Sequence, residues 1–237
     1  MGHSGASDSS GSYFADDYQQ VMYSGVIGYY SRLTHKLLDW PFRGTNTPII
    51  LEVGAGMGQH ACFTMTDFSR YYLTDISADV VRRGLVEDSR VIPQVADAQN
   101  LTDFQDESVD RLVATCLLAH LDKPEEALRE WRRVLKPSGT ASIYVPAEPG
   151  MLLRLLRHTA VAPKSRKLGN DHLSIVYRDH KSHYPRMRLL IESVFSNDDI
   201  RRRRFPTRFV GWNFSLFDIF HIVKSAGDAD MTGTAAD

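Results

Sequence analysis

Cysteine is scarce in this 237-residue chain: Cys62 and Cys116 stand far apart and outside any metal-ligand spacing, which excludes a disulfide framework and a zinc finger. No apolar run is long enough to span a bilayer. The small, polar start MGHSGASDSSGS has no apolar stretch of the kind a secretory leader carries, so a soluble cytoplasmic protein is the expectation. No internal repeat is present. Hydrophobic residues make up 43% and charged residues 24%, which excludes a mainly disordered chain. The length suits one domain with a substantial core, or one domain carrying an insertion, better than two separate cores. Net charge is only -1, but it is unevenly placed, with 14 Lys and Arg against 5 Asp and Glu between Met151 and Val210. That part of the chain reads as built to face an anion.

Residues 1–12 read as disordered or tag-like and 225–237 as a disordered tail, with a single domain over 13–224. Tyr13 to Trp40 has helical spacing, with Gly25 and Gly28 as candidate breaks. IILEV follows as a short, continuously apolar strand buried on both faces. Further strands are expected at YYLTD, VIPQVAD, VDRLVATC and TASIYVP, with helices at Ser77 to Glu87 and Glu125 to Leu135. The alternation implies a parallel sheet. Lys136-Pro137-Ser138-Gly139 should stop the helix ahead of the fifth strand. After Pro146 the alternation fails, and residues 147–185 are basic, rich in His and Tyr, and without a clean period. They are expected to form a partly helical cap, followed by a helix from Arg186 to Phe195 and strands near Ile200 to Phe205 and Phe214 to Val223.

The strongest site signal is Glu52-Val53-Gly54-Ala55-Gly56-Met57-Gly58, where a buried strand ends and a helix should begin. Glycines there permit positive φ and a close approach of backbone to ligand. The dinucleotide pattern G-x-G-x-x-G would need glycine at 59, where Gln59 stands, which argues against a nicotinamide or flavin enzyme. Asp75 closes the second strand, where a carboxylate can accept from both hydroxyls of a ribose. Asp97 closes the third, where it can accept from an adenine amine while Ala98 leaves room for the ring. Either aspartate alone could equally be a helix cap; their order after the glycine turn places a nucleoside across adjacent strand ends.

These segments, LEVGAGMG, LTDIS, VADAQNL, VDRLVATCLLAHL and ALREWRRVLKPSGTASIYV, resemble the class I S-adenosylmethionine (SAM)-dependent methyltransferases, in particular the group that includes the ubiquinone-biosynthesis methyltransferases. The resemblance covers about Ile49 to Pro146. It implies a Rossmann-like α/β fold: a seven-stranded, mostly parallel sheet with helices on both faces and an antiparallel last strand, here with a cap insertion after the fifth strand. It also implies SAM as cofactor and S-adenosylhomocysteine as product. Glu52, Gly54, Ala55, Gly56 and Gly58 would border the methionine part, Asp75 and Ile76 the ribose, Asp97 and Ala98 the adenine, and Thr115 and Cys116 the floor. Tyr13, Tyr18 and Tyr23 match the family's N-terminal lid loosely.

Methyl transfer from a sulfonium depends mainly on in-line positioning and exclusion of water, and a general base helps only a hydroxyl acceptor. His120 is the candidate base, because it follows the fourth strand where the family's loop faces cofactor and acceptor; a capping or packing histidine is the alternative. His172, Tyr177, His180 and His183 lie in the cap. Asp179, His180 and His183 have no established ligand spacing, so no metal is expected. Arg201 to Arg204 and Arg208 read either as a solvated edge strand or, with Arg154, Arg157, Lys164, Arg166 and Lys167, as a reader of phosphate or carboxylate.

The expected activity is methyl transfer to a small-molecule or glycan acceptor, O-methylation of an anionic, for example phosphate-bearing, sugar-containing substrate being preferred. N-methylation of a small amine and a non-catalytic SAM-binding protein are the alternatives. A nicotinamide dehydrogenase is disfavoured by Gln59 and by the absence of a Tyr-x-x-x-Lys pair in a suitable helix. No Asn-Pro-Pro-Tyr type motif follows the fourth strand, so no nucleic-acid partner is expected.

Overall fold

The computed structural model describes residues 21–84, 86–169 and 171–226. Residues 1–12, Tyr13, Tyr18 and 227–237, for which the sequence raised expectations, lie outside them. The strands are β1 (Ile49–Val53), β2 (Arg70–Asp75), β3 (Val91–Val95), β4 (Val109–Thr115), β5 (Leu135–Pro146), β6 (Asp199–Phe205) and β7 (Phe217–Val223). They form one sheet in the order β3-β2-β1-β4-β5-β7-β6. The first five run parallel, and β7 pairs antiparallel with both β5 and β6. The order reverses between β1 and β4, and in an open sheet of this kind ligands sit at that switch, beyond the carboxyl ends of the strands.

Helix α1 (Gly25–Asp39) covers one face and α3 (Pro124–Val134) the other, with the short α2 (Ala78–Arg82) lying between β2 and β3 in the chain. Helix α3 follows directly from its sequence: Pro124 opens it, Glu125 and Glu126 complement the amino end, and Arg132 and Arg133 the carboxyl end. Its Ala127, Leu128, Trp131 and Val134 are buried on one stripe, the larger side chains contributing about 2–3 kcal/mol each. The indole of Trp131 donates to the Ala98 carbonyl at 2.9 Å, tying this helix to the end of β3.

Four expectations are corrected. No helix follows the glycine turn: residues 54–69 contain only turns and a 3-10 turn at Ala61–Phe63, because Gly58 sits at φ 81° and His60 is buried. The helix expected from Ser77 to Glu87 shortens to Ala78–Arg82, with only Val80 and Val81 buried and Gly84 close behind. Lys136-Pro137-Ser138-Gly139 is an irregularity inside β5 rather than a turn before it: Val109 pairs with Leu135 and Arg111 with Thr140. Ser138 there has φ 64°, and a Cβ at Gly139 would lie 2.9 Å from the Lys136 carbonyl, so only glycine fits. The segment after β5 is more fully helical than expected: α4 (Met151–Leu156) continues through a π-helical turn at Arg157–Val161 into α5 (Ala162–Lys167), and α6 (His172–Asp179) follows. The π turn shifts the side-chain phase, which is why no 3.6-residue period shows in the sequence. Helix α7 (Tyr184–Val194) then packs beside α3 through Met187 and Ile191.

Candidate active site

The glycine turn, Asp75, Asp97 and Thr115 stand at the carboxyl ends of β1, β2, β3 and β4, four neighbours in the sheet. Gly54 and Gly56 have φ of 60° and 57°, the left-handed region that glycine alone enters without strain. The turn is closed by bonds from Ala55 N to the Thr74 carbonyl (2.8 Å) and from Gly58 N to the Ala55 carbonyl (3.0 Å). A Cβ on Gly56 would meet only the Gln59 amide oxygen at 3.4 Å, so the backbone there is open to a ligand. One oxygen of Asp75 accepts from Gly56 N (3.1 Å) and the other from Ser77 N (2.9 Å). Each keeps a lone pair, so the carboxylate can both fix the turn and accept from a vicinal diol. Ile76 beside it is 70% exposed. Asp97 accepts from Gln99 N at 2.9 Å, and Ala98 is buried behind it.

Glu52 lies beneath the turn, fully buried. The Tyr71 hydroxyl donates to its Oε2 at 2.7 Å, whereas Oε1 has no hydrogen-bond partner among the described residues. Burial pushes this carboxyl up to about 8, against the Tyr71 bond and the Arg111 charge. A buried acceptor left unpaired costs about 1–3 kcal/mol, and a cationic ligand group would restore its charge. The open glycine backbone, the orphaned oxygen and the two carboxylates therefore fit an amino-acid-bearing nucleoside. Beneath Glu52 runs a buried polar chain that the sequence did not disclose. Tyr23 hydrogen-bonds His35 (2.6 Å), His35 meets His60 (3.3 Å), and Arg111 pairs with Asp39 at 2.5 Å. His35 also stacks on Phe63, so α1 supports the loop that replaces the missing helix.

A second constellation lies over the ends of β4 and β5. Cys116, at φ 56°, is mostly buried, which pushes its thiol up to about 12 and keeps it neutral. His120 is lowered to about 4, chiefly by burial and then by the neighbouring His180, so it is a neutral imidazole. Its ring meets His180 edge-on, with centroids 4.5 Å apart, and it shares a hydrogen bond with the Asp179 backbone. Nδ1 of His180 is hydrogen-bonded to Glu148, and Glu148 is in turn paired with Arg157. Burial opposes ionisation of Glu148, but His180 and Arg157 outweigh it and hold the carboxyl below its ordinary value. Tyr144, near the end of β5, is also part of this cluster, buried close to Tyr30 and Cys116. Of the cap residues, His172 and His180 belong here, while Tyr177 is exposed. Glu148 was missed because no spacing marks it: it follows β5 and meets His180 only through the fold.

Several of the basic residues are already committed. Arg157 is held by Glu148, and Lys164 donates to the backbone carbonyls of Val21 (2.7 Å) and Ser24 (2.8 Å). Arg204 makes a two-pronged bond to the buried Asp218 at 2.9 and 3.1 Å, Arg202 approaches Asp218 and Glu192, and Arg201 pairs with Asp199. Arg154, Arg166, Lys167, Arg203 and Arg208 stay exposed.

Residues 51–143 match the family model of the methyltransferase domain. The chain is similar to Methyltransferase GfsG of Streptomyces halstedii, 33% identical over 103 residues, a stretch that is 40% of this chain and spans about a third (36%) of that protein. Among solved structures it is similar to a chain of the complex between the Haloferax volcanii Trm112 methyltransferase activator and a methyltransferase. That match has a TM-score of 0.64 and 15% identity, and covers 93% of this chain and 100% of that one. It is also similar to Haemonchus contortus phosphoethanolamine N-methyltransferase 2 in complex with SAM, with a TM-score of 0.58 and 16% identity over 88% of this chain and 56% of that one. At these identities the structural likeness speaks to the fold.

Proposed function

We propose that this chain, whose residues 51–143 match the methyltransferase-domain family model, is a class I SAM-dependent methyltransferase that methylates a hydroxyl of a small-molecule or glycan acceptor. The carrying observation is the run of ligand-ready groups along four adjacent strand ends: open backbone at Gly56, the orphaned Oε1 of Glu52, and the carboxylates of Asp75 and Asp97. Glu52, Gly54, Ala55, Gly56 and Gly58 would hold the amino-acid end of SAM, Asp75 and Ile76 the ribose, Asp97 and Ala98 the adenine, and Thr115 and Cys116 the floor. SAM supplies an electrophilic methyl group on a sulfonium.

The chain's own part is to place the acceptor and take its proton. His120 is neutral at pH 7, as a proton acceptor must be, and its bond to the Asp179 backbone fixes the ring. Glu148, acting through His180, sets a carboxylate behind the ring pair, which favours the imidazolium as it forms. Glu148 and His172 are buried under the cap helices, and the low local dielectric of such a setting strengthens each of these interactions. An anionic group on a sugar-containing acceptor would be met at the rim by Arg154, Arg166, Lys167 or Arg208, since Arg157 inside is already neutralised. Action in the cytoplasm belongs to the same proposal; no helix among the described residues is long and apolar enough to cross a membrane.

The test is calorimetric titration with SAM, S-adenosylhomocysteine and NADH, followed by a screen of nucleotide sugars and glycans. Micromolar binding of the two adenosyl ligands alone is expected, and its absence overturns the reading. With an acceptor in hand, His120→Ala should slow transfer by about 10²-fold or more at unchanged SAM affinity. Equal rates in variant and parent would remove His120 from the mechanism.

A further inference from the structure

The rim beside the cap carries large apolar side chains that no other described residue covers. Met151 and Leu155, one turn apart on α4, are each 60% exposed, while Leu153 between them is buried and holds the helix to the body. Phe209 is 84% and Phe214 54% exposed. The two groups adjoin: a Cβ on Gly150 would lie 3.1 Å from the Trp212 carbonyl and 3.4 Å from Asn213 Cα, so α4 starts against the 3-10 turn Trp212–Phe214. Trp212 stacks on Tyr184, which fixes this turn to the fold.

The two stretches of chain that carry these side chains have charges of one sign. Residues 150–169 and 200–217 contain ten Lys and Arg and no Asp or Glu. The inward-facing cations among them are spent on Glu148, Asp218 and backbone carbonyls, while Arg154 and Arg208 stay exposed between the apolar side chains and enter no ion pair among the described residues. Arg208 lies over the ring of Phe209, 5.1 Å from its centroid. Aromatic and aliphatic tips set among arginines with no acidic counterpart are complementary to an anionic bilayer surface, where rings enter the headgroup layer and guanidinium groups meet phosphate. Two copies of so basic a face would repel one another, which disfavours a second chain as the occupant.

We propose that this rim, with Met151, Leu155, Phe209 and Phe214 inserted and Arg154 and Arg208 on lipid phosphates, docks the protein on anionic membrane surfaces. Because α4 runs directly into Arg157, docking brings the chamber of His120 and Glu148 close to the headgroups. The docking does not depend on methyl transfer, and its test needs neither cofactor nor acceptor.

The experiment is flotation of the full chain with vesicles of phosphatidylcholine, with and without phosphatidylglycerol, at low and high salt. Binding to the anionic vesicles alone, weakened by salt, is expected. Phe209→Ser combined with Phe214→Ser should reduce it to background with an unchanged melting temperature. Arg154→Gln and Arg208→Gln should each cost about fivefold. Equal binding to neutral and anionic vesicles, no binding to either, or parental binding by the variants overturns the proposal. So does a dimer in sedimentation velocity that the double phenylalanine variant abolishes while vesicles capture neither protein.

Discussion

Replacing Glu52 with glutamine is expected to stabilise the cofactor-free protein at neutral pH and to weaken its hold on SAM. The group is fully buried, only one of its oxygens has a partner among the described residues, and burial raises it from 4.5 to about 8. A carboxyl whose folded value lies above its unfolded one keeps its proton better in the folded state. Folding is therefore penalised as pH rises above about 4.5, and the penalty stops growing above about 8. For these two values the penalty is about 3 kcal/mol at pH 7 and under about 1 kcal/mol at pH 5. Glutamine has the same shape, cannot ionise, and can still accept from the Tyr71 hydroxyl. The assay is urea unfolding of parent and variant at both pH values. The variant should be more stable by about 2–3 kcal/mol at pH 7, with the gain shrinking below about 1 kcal/mol at pH 5. Calorimetry should then show SAM bound at least about tenfold more weakly, the cost of losing one charge-assisted contact. Equal destabilisation at both pH values would refute the ionisation penalty, and unchanged SAM affinity would remove Glu52 from the cofactor's cradle.

Asp75→Ala should weaken SAM binding by about 10- to 100-fold, since two hydrogen bonds to a charged group are lost, with circular dichroism unchanged; parental affinity would refute the ribose assignment. Arg111→Met leaves the buried Asp39 without its cation and should cost about 3–5 kcal/mol in urea unfolding, whereas a loss under about 1 kcal/mol would show the pair to be dispensable. His35, His120, His172 and His221 are each lowered from 6.5 to about 4, chiefly by burial. The unfolded chain takes up these protons first, so stability present above about pH 6.5 is lost as pH falls towards 4, outweighing the opposite trend of Glu52. A melting temperature at pH 5 equal to that at pH 7.5 would contradict the burial of these rings as neutral groups.

The parallel strands were legible because each is a short apolar run bounded by polar turns, and IILEV needed no neighbour to be recognised. Helix α3 was equally plain, with proline, acidic residues, an apolar stripe and basic residues in order. The region after the glycine turn misled because strand-turn-helix is the usual sequel there. His60, buried against His35 and Asp39, instead holds that chain in a 3-10 turn, and no local pattern reveals a partner 25 residues away. The cap was illegible for a different reason, since the π turn at Arg157–Val161 breaks the period on which recognition depends.

By itself the sequence determined the order of strands and helices, the glycine turn at 54–58 and the acidic residues that close β2 and β3, because strand period, turn chemistry and chain order are local properties. Only the tertiary structure decided that Glu52 is buried with one oxygen unpaired, that Glu148 and Arg157 close on His180 beside His120, and which arginines are consumed internally and which face outward. Those outcomes depend on desolvation and on charges brought together from distant parts of the chain, and neither exists until the sheet and its cap have packed.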